Sequence, residues 1–257
     1  DGFDIVIGNP PYVRQENISD PRLPRDEVTT ENKREYKEKL ARAVYQVFPK
    51  FFAYSSTQDK AGRKLNAKSD LYIYFHFLGL SLLNPQGAFS FICSNSWLDV
   101  GYGADLQEFL LRQCHIKYVL DNSIERSFDS AEVNTIIVLL SAPNAEPNAA
   151  LPQTARFVMF RVPYEHVVSP VLFQELEAAK SRKATPEYRL YAQPQTKLLE
   201  AGRAPQEEDD SKDTKAAPQL KTKGKALIAD IEYAGDKWGG KYLRAPDIYW
   251  AIADKLE

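Results

Sequence analysis

At 257 residues the chain is long enough for one large domain, or about one and a half average ones, with a sizeable core. A formal charge of −2 excludes a globally basic nucleic-acid binder, so any contact with phosphates has to come from a local patch. No apolar run reaches the roughly 18 residues that span a bilayer, and the N-terminus has neither a basic leader nor an A-x-A-like cleavage site; both point to a cytoplasmic protein without a membrane partner. The two cysteines, Cys93 and Cys114, lie in apolar segments without CxxC or histidine spacing, which predicts core thiols and neither a disulfide framework nor a metal site.

In chain order, Phe3 to Gly8 reads as a short strand buried on both faces, rich in β-branched Ile5, Val6 and Ile7. Asn9-Pro10-Pro11-Tyr12 follows, then a polar insert over 14–68. The insert carries Arg22, Arg25, Lys33, Arg34, Lys37, Lys39, Arg42, Lys50, Lys60, Arg63, Lys64 and Lys68, and reads first as the solvated face of a helix, notably in "ENKREYKEKLARAV", and second as a phosphate-binding patch. Ser69 and Asp70 are good N-caps for "LYIYFHFLGLSLL", which is apolar nearly all round and so predicts a buried helix ending near Asn84-Pro85. "NPQG" reads as a turn and "AFSFIC" as a second strand; a loop follows, then a helix over 104–113. "IKYVLDNS" and "VNTIIVLLSA" are further strands separated by the polar loop "IERSFDSAE". This alternation predicts an α/β sheet of mostly parallel strands with an antiparallel hairpin at its edge.

Beyond Pro143, "ARFVMFRVP" fits a strand and "SPVLFQELEAAKSRK" a capped helix. The segment 203–223 is polar, charged and poor in large apolar residues, which predicts a linker, whereas "WGGKYLRAPDIYWAI" is aromatic and predicts order. The expected division is a catalytic part over 1–145 with its insert at 14–68, an extension over 146–202, the linker, and a last segment over 224–257. The chain begins inside a strand-like run without methionine and ends inside a helix-like one, so it reads as cut from something longer.

The tetrapeptide carries the chemistry. An amine conjugated to a ring, such as the exocyclic amine of adenine, is a poor nucleophile because its lone pair is delocalised. Two fixed hydrogen-bond acceptors on its N–H groups localise that pair and act electrostatically in the transition state. The Asn9 side-chain oxygen supplies one acceptor. The Pro10 carbonyl supplies the other, because Asn9 and Pro10 each precede a proline and are held extended. Tyr12 gives a flat surface for the base. Four specified residues match by chance on the order of once in 10⁵ windows, and a strand end is where open α/β sheets bind ligands, so the turn is read as a site. Extruding a base costs about a few kcal/mol, which one aromatic stack of about 1 to 3 kcal/mol barely offsets. A second ring is therefore expected, and Phe128 in the loop "ERSFDSAEVNT" is the candidate, with anchoring of its own loop as the alternative role.

"FDIVIGNPPYVRQE", "SDLYIYFHFLGLSLLNPQGAFSFICSNSWLDVGYGADLQEFLLRQCHIKYVLD" and "SFDSAEVNTIIVLLSA" together resemble the catalytic half of gamma-class N6-adenine DNA methyltransferases, over residues 1 to 142. Within that class they are most similar to the type IIG-like restriction-modification enzymes that fuse methyltransferase and specificity domains. The resemblance implies the C-terminal half of a Rossmann-like, S-adenosylmethionine-dependent methyltransferase sheet. It implies Asn9 and Pro10 on the adenine amine, Tyr12 and Phe128 stacking on a flipped base, and Leu71 and Phe75 beside the cofactor; burial in the helix core accounts equally for the last two. It also implies double-stranded DNA as partner, a target-recognition domain to which "WGGKYLRAPDIYWAI" leads, a possible endonuclease domain, and a bacterial or archaeal cytoplasm. The family places a Gly-rich cofactor-binding motif upstream of the tetrapeptide. The "GYG" at 101–103, a lone GxG in a loop, is no substitute. The segment alone is thus expected to bind cofactor poorly and to be inactive. Two alternatives remain at this stage: methylation of a protein glutamine amide, which the same tetrapeptide serves, and a non-catalytic DNA-binding or assembly module.

Overall fold

A computed structural model describes residues 2–124, 134–204 and 232–253. In chain order the elements are β1 (Phe3–Gly8), α1 (Thr30–Val47), α2 (Pro49–Phe52), the small hairpin β2 (Tyr54–Ser55) and β3 (Lys60–Ala61), α3 (Leu71–Ser81), β4 (Leu83–Ser94) and α4 (Ala104–Gln113). There follow β5 (Ile116–Asn122), β6 (Thr135–Ser141), β7 (Thr154–Phe160), α5 (Tyr164–Val167), α6 (Pro170–Ala178), β8 (Lys183–Ala184), β9 (Tyr188–Pro194), α7 (Gln195–Ala201) and α8 (Asp247–Ala253).

Seven strands form one mixed sheet in the order β1-β4-β6-β5-β7-β9-β8. From the pairings, β1, β4, β5, β7 and β8 run one way, and β6 and β9 the other. The expected α/β sheet with most strands co-directional is present. Its antiparallel strand β6 lies between β4 and β5 rather than at an edge, because β7, β9 and β8 continue the sheet past β5.

Two apolar layers sandwich the sheet. On one face, Phe89, Phe91, Cys93, Val119, Ile136, Val138 and Phe157 join α1, α3, α4, α7 and the segment around Trp238 in the main core. Gly79 lets α3 sit close on that face: a Cβ there would lie 2.8 Å from Phe89 Cε2. On the other face, Leu172 and Leu176 of α6 cover Tyr118, Leu120, Val158 and Phe160. The α6 N-terminus is capped as the sequence predicts, with Ser169 Oγ accepting from Leu172 N at 3.2 Å.

Three expectations need correction. β1 is not buried on both faces: it is an edge strand in this structure, and Phe3, Ile5 and Ile7 are 62%, 67% and 77% exposed. "NPQG" is no free turn but an irregularity within β4, where the register to β1 jumps between Phe3↔Leu83 and Ile5↔Ala88. α3 is not buried all round, since Phe75 is exposed, as is Leu82 just past its end. Cys93 and Cys114 are free and buried as expected, and burial pushes the Cys93 thiol up to about 12.

The basic insert folds as a helix with a reciprocal N-terminal box: Thr29 Oγ1 accepts from Asn32 N while Asn32 Oδ1 accepts from Thr29 N. Many of its cations are spent internally. Arg22 pairs with Asp20, Arg34 with Glu31 and Glu38, Arg42 with Asp59, and Arg63 with Asp105 and Glu108.

Candidate functional site

β1 delivers Asn9 to the carboxyl edge of the sheet. Gly8 pairs with Phe91, so the tetrapeptide emerges beside the last residues of β4. Asn9 is exposed, and its side-chain amide has no hydrogen-bond partner among the described residues, whereas Pro10 is buried. Tyr12 is half-buried, and its hydroxyl donates to the Ile92 carbonyl at 3.2 Å, which fixes the ring against β4. Burial, with the nearby Cys93 sulfur, pushes the Tyr12 phenol up to about 12, so it stays neutral at physiological pH.

The chain after Tyr12 runs past the N-terminus of α3 before entering the insert: Leu71 N donates to the Val13 carbonyl at 3.0 Å, and Gln15 N donates to Asp70 Oδ1 at 2.8 Å. Leu71, half-buried, therefore adjoins the tetrapeptide. Phe75 lies one helical turn further on and is 39% exposed, which removes the core-packing explanation for that ring. Phe128 lies outside the described residues. Of the residues flanking its loop, Asn134 accepts a bond from Asn95 N at 3.0 Å, at the same edge of the sheet.

Two groups of side chains that sequence reasoning passed over also lie near this edge, one around Tyr102 and one around Arg244. Tyr102, in the turn before α4, donates to Asp70 Oδ2 at 2.8 Å and lies 3.0 Å from the Tyr72 hydroxyl. Arg244, from the C-terminal segment, pairs with Asp99 after β4 and lies 3.6 Å from Asp121 of β5. Burial holds the Asp121 carboxyl above the usual carboxylate range, against the lowering by Asn122 N and Arg244. Only Asp70 gave a sequence signal, and it read as a helix cap. The C-terminal segment reaches this edge because it docks on α4: Gln107 Nε2 donates to the Trp97, Leu98 and Asp236 carbonyls, while its Oε1 accepts from the Tyr233 hydroxyl and Asp236 N. A cleft of about 690 Å³ beside this contact is lined by Asp99, Gly235, Lys237, Lys241 and Tyr249, not by the tetrapeptide. No helix among the described residues is long and apolar enough to cross a membrane.

Comparison with known proteins places the first half of the chain among the restriction-modification methyltransferases. More narrowly, residues 1–128 match the model of the Eco57I restriction-modification methylase. The chain is 30% identical over 119 residues to the type II methyltransferase M.BstVI of Geobacillus stearothermophilus, covering 46% of this chain and 16% of that protein. It is 27% identical over 177 residues to M.XhoI of Xanthomonas vasicola, covering 69% and 25%. Among solved structures it is similar to the type IIG restriction endonuclease BpuSI, at 15% identity and a TM-score of 0.49, covering 77% of this chain and 20% of that one. The chain thus spans a quarter or less of the curated relatives named here.

Proposed function

We propose that this chain is the target-base half of a DNA adenine-N6 methyltransferase that works within a larger restriction-modification protein. The observation that carries the reading is the state of the tetrapeptide: Asn9 presents an exposed amide with no hydrogen-bond partner among the described residues at the carboxyl edge of the sheet, while the Tyr12 ring beside it is held by its bond to Ile92. A flipped adenine lies on Tyr12. Asn9 Oδ1 and the Pro10 carbonyl accept its two N–H groups, and both acceptors gain strength as positive charge develops on the nitrogen. The new nitrogen–methyl bond would form as the methyl–sulfur bond of the donor sulfonium breaks to a neutral thioether, and the methylated nitrogen would release one proton to solvent, so neither a covalent intermediate nor a metal is required.

S-adenosylmethionine supplies the methyl group when bound. Leu71 and Phe75 fit one apolar wall of its site, adjoining the tetrapeptide through the Leu71–Val13 bond. The bare face and free edge of β1 suit the remaining strands of a methyltransferase sheet, which the complete protein supplies. The segment by itself is therefore inactive on this reading. Phe128, outside the described residues, is the candidate for the second stacking ring, a target-recognition domain belongs to the complete protein, and duplex DNA is the substrate.

The test is transfer of labelled methyl from S-adenosylmethionine by the complete protein, offered duplex DNA and, separately, a glutamine-containing polypeptide. Label recovered as N6-methyladenine supports the reading. Label on glutamine alone replaces it with protein methylation, and none on either leaves the non-catalytic module.

A further inference from the structure

Asp70 stands at the N-cap of α3 with the extended backbone of a capping residue, yet its side chain makes no capping bond. An aspartate there ordinarily accepts from the second or third helical N–H and contributes about 1 kcal/mol. Here that contribution is forgone. Oδ1 accepts from Gln15 N at 2.8 Å, and Oδ2 accepts from the Tyr102 hydroxyl at 2.8 Å. One carboxylate thus joins the exit of the tetrapeptide, the start of α3 and the turn before α4. That turn is itself fixed by a close approach, since a Cβ on Gly103 would fall 1.9 Å from the Trp97 carbonyl oxygen.

The insert adds an outer arm. From α1, Lys37 Nζ donates to Gln15 Oε1 at 3.0 Å and to the Ala67 carbonyl, and Lys33 Nζ donates to the Glu16 carbonyl at 2.8 Å. Residues 13–16 are therefore held from α1 and from the start of α3, with Tyr102 bonded to Asp70 behind them. Nothing in this set touches Asn9 or the base position.

We propose that Asp70 is a positioning residue whose carboxylate, backed by Tyr102 and by Lys37 of the insert, sets the register of the Asn9–Tyr12 turn at the cost of capping its own helix. The inference rests on the reading of that turn as the amine-gripping site, where a displacement of about 1 Å costs on the order of a hundredfold in rate.

The deciding variant is Asp70→Ser in the complete protein. Serine is an equally good N-cap, so the helix keeps its stability, but the short hydroxyl reaches neither Gln15 N nor Tyr102. The expected result is a fall in kcat of about ten- to a hundredfold, with KM for DNA and for S-adenosylmethionine near wild type. Amide exchange at residues 13–16 rises, and the melting temperature is unchanged. Tyr102→Phe should lower kcat in the same direction, and the double variant should fall no further than Asp70→Ser. Wild-type kcat and exchange in Asp70→Ser, or a kcat loss that only tracks the folded fraction, overturns the proposal. Should the wild-type protein methylate no adenine, the functional reading fails on that result alone. The exchange at 13–16 then decides the brace: faster exchange in Asp70→Ser supports it, and unchanged exchange overturns it.

Discussion

Replacing Gln107 by leucine tests how firmly the C-terminal segment belongs to the body that carries the site. Gln107 is 1% exposed, and its amide makes five hydrogen bonds, three of them to residues 233–236. Leucine fills much the same volume and makes none. The Tyr233 hydroxyl, which is buried, and the Asp236 N–H lose their acceptor, and each orphaned donor costs about 1–3 kcal/mol. The Trp97, Leu98 and Asp236 carbonyls lose a donor as well, so a destabilisation of about 4 kcal/mol is expected. Denaturant unfolding followed by tryptophan fluorescence is the assay, because Trp97 and Trp238 are both fully buried with ring centroids 5.9 Å apart, one of them in the docked segment. Gln107→Leu should release Trp238 at lower denaturant than the rest of the core. A loss below about 1 kcal/mol, with Trp238 still buried, would refute the claim that this amide holds the segment.

Other outcomes follow from the same coordinates. His76 is buried among Phe89, Phe91 and Trp97 with Nδ1 against the Tyr72 carbonyl, and burial pushes its pKa down to about 4 from 6.5. Between these values the unfolded chain binds the proton and the folded chain does not. Stability therefore rises with pH across that window by about 3 kcal/mol and is lost as pH falls through it. His76→Gln should flatten this component in urea titrations from pH 4 to 7, and an unchanged slope would contradict it. Tyr12→Phe keeps the ring and loses the bond to Ile92, so kcat should change by less than about tenfold and stability by about 1 kcal/mol. Tyr12→Ala removes the stack and should cost methylation at least a hundredfold, about 3 kcal/mol.

What could be read in advance was local. α4 falls at 104–113 as its pattern indicates, β5 and β6 lie within their apolar runs, and β7 starts one residue before its own; β6 is also buried at every second residue. The tetrapeptide was legible because its residue types are rare together and have one chemistry in common. The orientation of α3 was not legible, since a helix apolar on every side has no face that periodicity can assign, and only the structure shows Phe75 outward. β9 and α7 escaped notice because they abut at Pro194–Gln195 without an intervening turn. The docking of Trp238, Tyr242 and Leu243 in the core is set by Gln107, which lies 129 residues before Asp236, and no local pattern reports a partner that far away. Asp70 misled for a related reason: its type and place match a helix cap, while its partners come from residues 15 and 102.

The central claim is that Asn9 holds an adenine amine for methylation. Its most direct test is long-read mapping of modified adenine in DNA from a methylation-deficient host that expresses the complete protein, as wild type and as Asn9→Ala. The account predicts one modified sequence motif in the wild type and its disappearance in Asn9→Ala, with both proteins present at equal levels. An unmodified wild-type genome, or a motif that persists in Asn9→Ala, would contradict it.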